Sequence, residues 1–273
     1  MTGTRLPLQD LWDTPAAPGD MPIALLPLHQ TATTLIPGLL VSGAAIAGLV
    51  TRALGAQLPR RGSTLIVLAV LLVHAGAGAQ ACVVVARGLE ESDAATSYLT
   101  ALVAAVAIAT AMALTTLLLI AKAPVAGAML GLSAGALAAG IWLNALVLPP
   151  GADQSEATMA LLGLSRWLPA ILIGLAIGWG GAGTIGRVVA VLGGSVILWV
   201  GPAAITAVSS ATGAHGLLRD PAEMLQYGLE VFRAAVTMPG LAVPPVLLAL
   251  FVGAIVVLVR AHSRSASATP SHA

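Results

Sequence analysis

The chain has 273 residues, of which 58% are apolar and 8% charged, and its net charge is +1. A water-soluble domain carries roughly 25% charged residues, so this chain lacks the polar surface to face water and its solvent is a bilayer. It has no basic tract for nucleic acid, and its one cysteine, Cys82, excludes an intramolecular disulfide and a multi-cysteine metal site.

In chain order, residues 1–33 read as a Pro-rich extracytoplasmic segment in which Leu8, Leu11 and Trp12 suit the membrane interface. Arg5 is not followed by the apolar core and cleavage site of a secretory leader. A bilayer core needs about 20 apolar residues per helix. Seven stretches qualify, at 34–54, 64–86, 98–121, 125–148, 168–182, 187–209 and 241–259. The predicted fold is an all-α integral membrane protein: a seven-helix transmembrane domain over 34–260, then a disordered cytoplasmic tail over 261–273.

Charge sets the orientation. With the N-terminus outside and the C-terminus inside, the inner segments hold Arg52, Arg60, Arg61, Lys122, Arg187, Arg260 and Arg264 and no acid. All 11 acids then fall outside, together with Arg5, Arg87, Arg166, Arg219 and Arg233. The basic bias is modest, but every connection alternates consistently with the positive-inside rule. The outer loop 211–240 carries a helix start at Asp220-Pro221 with Glu223 as capping-box partner. Leu225, Leu229, Phe232 and Val236 follow at helical spacing, which predicts an amphipathic outer-face helix near 220–236.

The motif with a catalytic reading is Gly131-Leu132-Ser133-Ala134-Gly135, which fits G-x-S-x-G. A nucleophile elbow needs a strand before it, and here a membrane helix surrounds it. Together with Gly213-Ala214-His215-Gly216 it resembles the serine and histidine motifs of rhomboid-type intramembrane proteases. The predicted spans, however, put Ser133 in the inner half of the fourth helix and His215 beyond the outer end of the sixth, outside the ~3 Å reach of a nucleophile and its base. The same letters place Gly127, Gly131 and Gly135 on one helical ridge, with Gly174 and Gly178 repeating the device in the fifth span. Such ridges let helices approach closely in lipid, and packing is the reading adopted. The G-x-G-x-x-G match at 178–183 lacks its preceding strand and reads as a flexible inner turn.

Polar groups within spans are functional candidates because they are costly in hydrocarbon. His74 lies near the middle of the second span, Gln80 on its outer half and Asn144 near the outer end of the fourth. A neutral His74 hydrogen-bonded to a neighbouring helix is the favoured reading, ahead of a proton relay. Pro37, Gly201 and Pro202 are candidate helix breaks of the sort that line transporter cavities. No cofactor is expected. The last span has no lysine for retinal, His74 has no second histidine at its depth for haem, and no span contains an acid to build a metal cage.

These features predict a non-enzymatic multi-pass subunit or scaffold of a cell-membrane assembly, in contact with lipid and with other membrane subunits. The alternative is a transporter or permease component for a small neutral or lipid-like solute. For that alternative, the three-plus-one-plus-three division of seven helices resembles the topology of sugar carriers with parallel repeats, although no internal sequence repeat is found.

Overall fold

The computed structural model describes residues 4–5, 22–28, 33–148, 155–214 and 221–267. Its helices are α1 (Leu35–Ala53), α2 (Gly62–Gly88), α3 (Asp93–Lys122), α4 (Val125–Val147), α5 (Glu156–Ser165), α6 (Leu168–Gly180), α7 (Ile185–Gly213), α8 (Pro221–Val236) and α9 (Pro239–Ser267). A two-residue antiparallel pairing joins β1 (Thr4–Arg5) to β2 (Ile23–Ala24), and β2 packs against α2. Seven stretches are long and apolar enough to cross a membrane, with α5 and α6 together making the fifth, Glu156–Gly180. The chain is therefore an all-α, multi-pass membrane protein.

Local signals account for several boundaries. Ser92 and Ser155 cap α3 and α5 through side-chain oxygens that accept from Ala95 N and Thr158 N, satisfying amides that the first turn leaves unpaired. At the other end of the fifth span, Gly181 takes φ +68° and closes α6 with its amide donated to Ile177 O. That backbone region strains any side chain, so the glycine there is a requirement of the turn. Thr184 then caps α7 by accepting from Arg187 N.

Three expectations change. The fifth span is longer than 168–182, because α5 precedes α6 across a tight turn at Arg166-Trp167. Glu156 lies in the first turn of α5, where a capped N-terminus accommodates an acid favourably. At the C-terminal end, α9 continues past residue 260 to Ser267. The third concerns the predicted helix breaks. Pro37 sits in the first turn of α1, where its missing N–H costs nothing. α7 runs without interruption through Gly201-Pro202. Leu8, Leu11, Trp12, His215 and Asp220 lie outside the described residues.

Two clusters organise the packing. One joins α1, α2 and α3 with Ala24, Leu26 and Leu28 of the N-terminal segment; the other joins α4, α6, α7 and α9. α4 also packs on α1 and α3 and so ties the clusters together. Alanine dominates both cores. Lipid tails are as apolar as leucine, so burial in a membrane gains little from the hydrophobic effect, and dispersion between closely approaching helices carries the association. Small side chains are what permit that approach.

Hydrogen bonds between elements separate two ends of the bundle. At one, Arg52 donates to Ile120 O and Ala123 O, and Arg260 to Gly178 O and Trp179 O, gathering the C-terminal turns of α1, α3, α6 and α9. At the opposite end Thr34 meets Ser209, and Asn144 meets Ser165. The first end carries Arg60, Arg61, Lys122 and Arg187 and no acid; it is called the basic end below. α8 turns back along α7, with Gly228 against Ala211 and Ala207 and with Val236 O accepting from Trp199 Nε1. Its apolar stripe divides: Phe232 and Val236 are half-buried, whereas Leu225 and Leu229 are 64% and 45% exposed.

Candidate functional site

The glycines singled out by spacing lie at helix crossings inside the chain. A Cβ on Gly131 would stand 2.8 Å from Ile120 Cγ1 of α3, and one on Gly135 2.6 Å from Ala45 Cβ of α1. Gly127 faces Ala123 and Leu119 in the same way. In α6, Gly174 meets Ala249 O and Val252, and Gly178 meets Val256 and Gly253 O, all from α9. These seams are already occupied by the chain's own helices. Ser133, on the α4 face toward Gly194 of α7, is buried and donates its hydroxyl to Met129 O at 2.9 Å, one turn back in its own helix. That leaves the hydroxyl bonded to backbone rather than to a base.

The polar residues behave differently from one another. His74 is buried, and its Nδ1 has no hydrogen-bond partner among the described residues, contrary to the interhelical bond expected of it. The Tyr98 hydroxyl is buried and equally unpartnered. The two cannot serve each other: counted from the basic end along α2 and α3, they differ in height by roughly 18 Å at 1.5 Å per residue. Gln80 is a clamp. Its Nε2 donates to Ile23 O at 3.1 Å and its Oε1 accepts from Leu25 N at 2.9 Å, so the side chain pairs with the N-terminal segment as a strand would. The clamp sets Ala24, Leu26 and Leu28 inward while Ile23 and Leu25 face out. Asn144 Oδ1 accepts from Ser165 Oγ and ties α4 to the end of α5.

The site that spacing did not reveal is a groove of about 760 Å³ between α1, α4 and α6. Gly43, Gly135, Ala136 and Ala139 line it together with Ile46 and Leu175. Trp142 marks one end, and Arg52 with Trp179 the other. The Arg52 guanidinium carbon lies 5.2 Å from the Trp179 ring centroid, within the range of a cation–π contact. Its Nη1 is committed to the two α3 carbonyls, at 2.8 and 3.0 Å. Cations at a helix C-terminus are stabilised by its unpaired carbonyls. The only sequence signal was an arginine in the last turn of a span; the tryptophan beside it comes from a helix more than 120 residues later.

The fold and these sites define a multi-pass integral membrane protein with an apolar groove between three of its helices. Compared with protein-family models, curated proteins and solved structures, the chain matches none.

Proposed function

We propose that the protein is a non-enzymatic subunit or scaffold of a cell-membrane assembly, with its N-terminus outside and its basic end in the cytoplasm. The observation that carries this reading is the outer face of α2. That helix is among the least covered spans, and Ala69, Gly76 and Ala79 are exposed on it beside Leu72 and Val73. A Cβ at Gly76 would meet nothing within 4 Å. Small residues serve close helix approach in lipid, and among the described residues no helix of the chain covers them. The glycine seams in α4 and α6 do not bear on partners, because they are filled internally.

The experiment is purification in mild detergent followed by mass spectrometry of what remains bound. A stoichiometric membrane protein partner is expected, and Gly76→Leu should lose it while keeping the wild-type melting temperature. A chain that is monomeric and partnerless in both forms would overturn the reading.

One observation favours carriage of a small neutral or lipid-like solute as a second reading. In each group of three spans, the first and third helices pack side by side in parallel, α1 with α3 and α6 with α9. An arginine of one caps the other's C-terminal carbonyls in both groups. Parallel repeats of this arrangement occur in carriers. The uninterrupted α7 and the nearly apolar groove weigh against a polar solute.

A further inference from the structure

We propose that the groove between α1, α4 and α6 binds a phospholipid, with an acyl chain along the groove and an anionic headgroup phosphate on Arg52. Three observations on different parts of the groove lead there.

The first is its length. From Leu39 to Ala53 the α1 wall is about 21 Å long at 1.5 Å per residue, and the groove runs along it between α1, α4 and α6. That exceeds the roughly 15 Å depth of one leaflet's hydrocarbon, so an acyl chain can lie along it over its full depth.

The second is the lining. Apart from Ser42 and Arg52 it is wholly apolar or glycine, and Ser42 spends its hydroxyl on Gly38 O in its own helix. Between the Trp142 end and the Arg52 end a polar solute would find no free side-chain hydrogen-bonding group to replace its water, whereas hydrocarbon needs none.

The third is charge. Arg52 is the sole charged lining residue. With Nη1 occupied by Ile120 O and Ala123 O, the Nε–H and Nη2–H edge of the guanidinium carries no hydrogen bond to the described residues. That edge is the fork that grips phosphate in bidentate fashion. Trp179 and the α3 carbonyls hold the fork in place, so little entropy is lost when it binds. Arg60, Arg61, Lys122, Arg187 and Arg260 share this end of the bundle, and no acid does. The potential at the groove's mouth therefore favours an anionic over a zwitterionic headgroup. The proposal does not depend on the subunit reading and survives if no protein partner is found.

The full-length protein, reconstituted in nanodiscs of equal parts phosphatidylglycerol and phosphatidylcholine, then released into detergent for native mass spectrometry, provides the test. Wild type is expected to retain one phosphatidylglycerol in preference to phosphatidylcholine by tenfold or more. Gly43→Phe should lose the adduct, since its side chain enters the groove from a position where a Cβ meets nothing within 4 Å. Ile46→Trp, at a 63% exposed wall position, repeats the block if Gly43→Phe does not fold. Arg52→Lys keeps the charge but loses the fork, and should reduce the headgroup preference severalfold while an acyl adduct remains. Equal retention in the blocked variants, or no preference between the two headgroups in wild type, would overturn the proposal. So would a crosslink from Ile46→Cys to another protein chain, because the groove would then hold a partner helix.

Discussion

His74 has an imidazole at mid-span, buried, with a ring nitrogen that bonds to nothing described. A buried polar atom without a partner carries its full desolvation cost, about 1–3 kcal/mol. An apolar side chain of similar size should therefore do as well or better there. His74→Leu is expected to melt in detergent at or above the wild-type temperature, and His74→Ala to lose about 2 kcal/mol through the cavity it leaves. A clear loss in His74→Leu would reveal a partner for the nitrogen, such as a bound water or another subunit. Gln80 shows the opposite outcome for a polar side chain at a span's outer end, since both ends of its amide are used. Composition alone could not separate the two, because hydrogen bonding depends on which backbone lies opposite.

Among the helices, glycine has two separate meanings. At Gly178 the neighbouring α9 backbone and Val256 leave no room for a methyl group, while at Gly163 a Cβ meets nothing within 4 Å. Overpacking a tight contact costs typically 1–3 kcal/mol. Gly178→Val should therefore lower stability by at least about 2 kcal/mol, and Gly163→Ala should leave it unchanged or slightly raised, since alanine is the better helix former. Equal melting temperatures for the two variants would mean that α6 and α9 do not pack through this seam. The spacing of Gly174 and Gly178 made the ridge legible. It could not say that the opposing surface belongs to α9 of the same chain, because spacing describes one face and a crossing needs two. The α5 helix was absent from the predicted 168–182 span for a related reason: it is only 10 residues long, and continuity with α6 is what makes it part of a span.

At the scale of the whole molecule, the alternation of spans places Glu90 and Lys122 at opposite ends of α3 and its neighbouring loop. In a Cys82→Ser background, Lys122→Cys should resist a membrane-impermeant thiol reagent in intact cells, and Glu90→Cys should react. Labelling of both from one side would dismantle the topology and the assignment of the basic end to the cytoplasm. The two bundle ends differ in chemistry as well as in sidedness. The basic end is pinned by arginines on helix carbonyls, and the opposite end by neutral amide and hydroxyl contacts. Anionic lipid at the basic end would add to the first set of contacts without competing for Nη1 of Arg52.

The run of apolar residues determined on its own that this chain lives in a bilayer and crosses it seven times. A span is a local property, requiring only enough consecutive hydrocarbon to match the membrane's thickness. The alternation of charge between connections was local too, and readable for the same reason. Which glycine faces which helix, whether a buried imidazole has a partner, and the existence of a groove between α1, α4 and α6 were decided only by tertiary structure. Each depends on surfaces from segments distant in the chain, and in a membrane those surfaces meet by shape, which one-dimensional hydropathy does not encode.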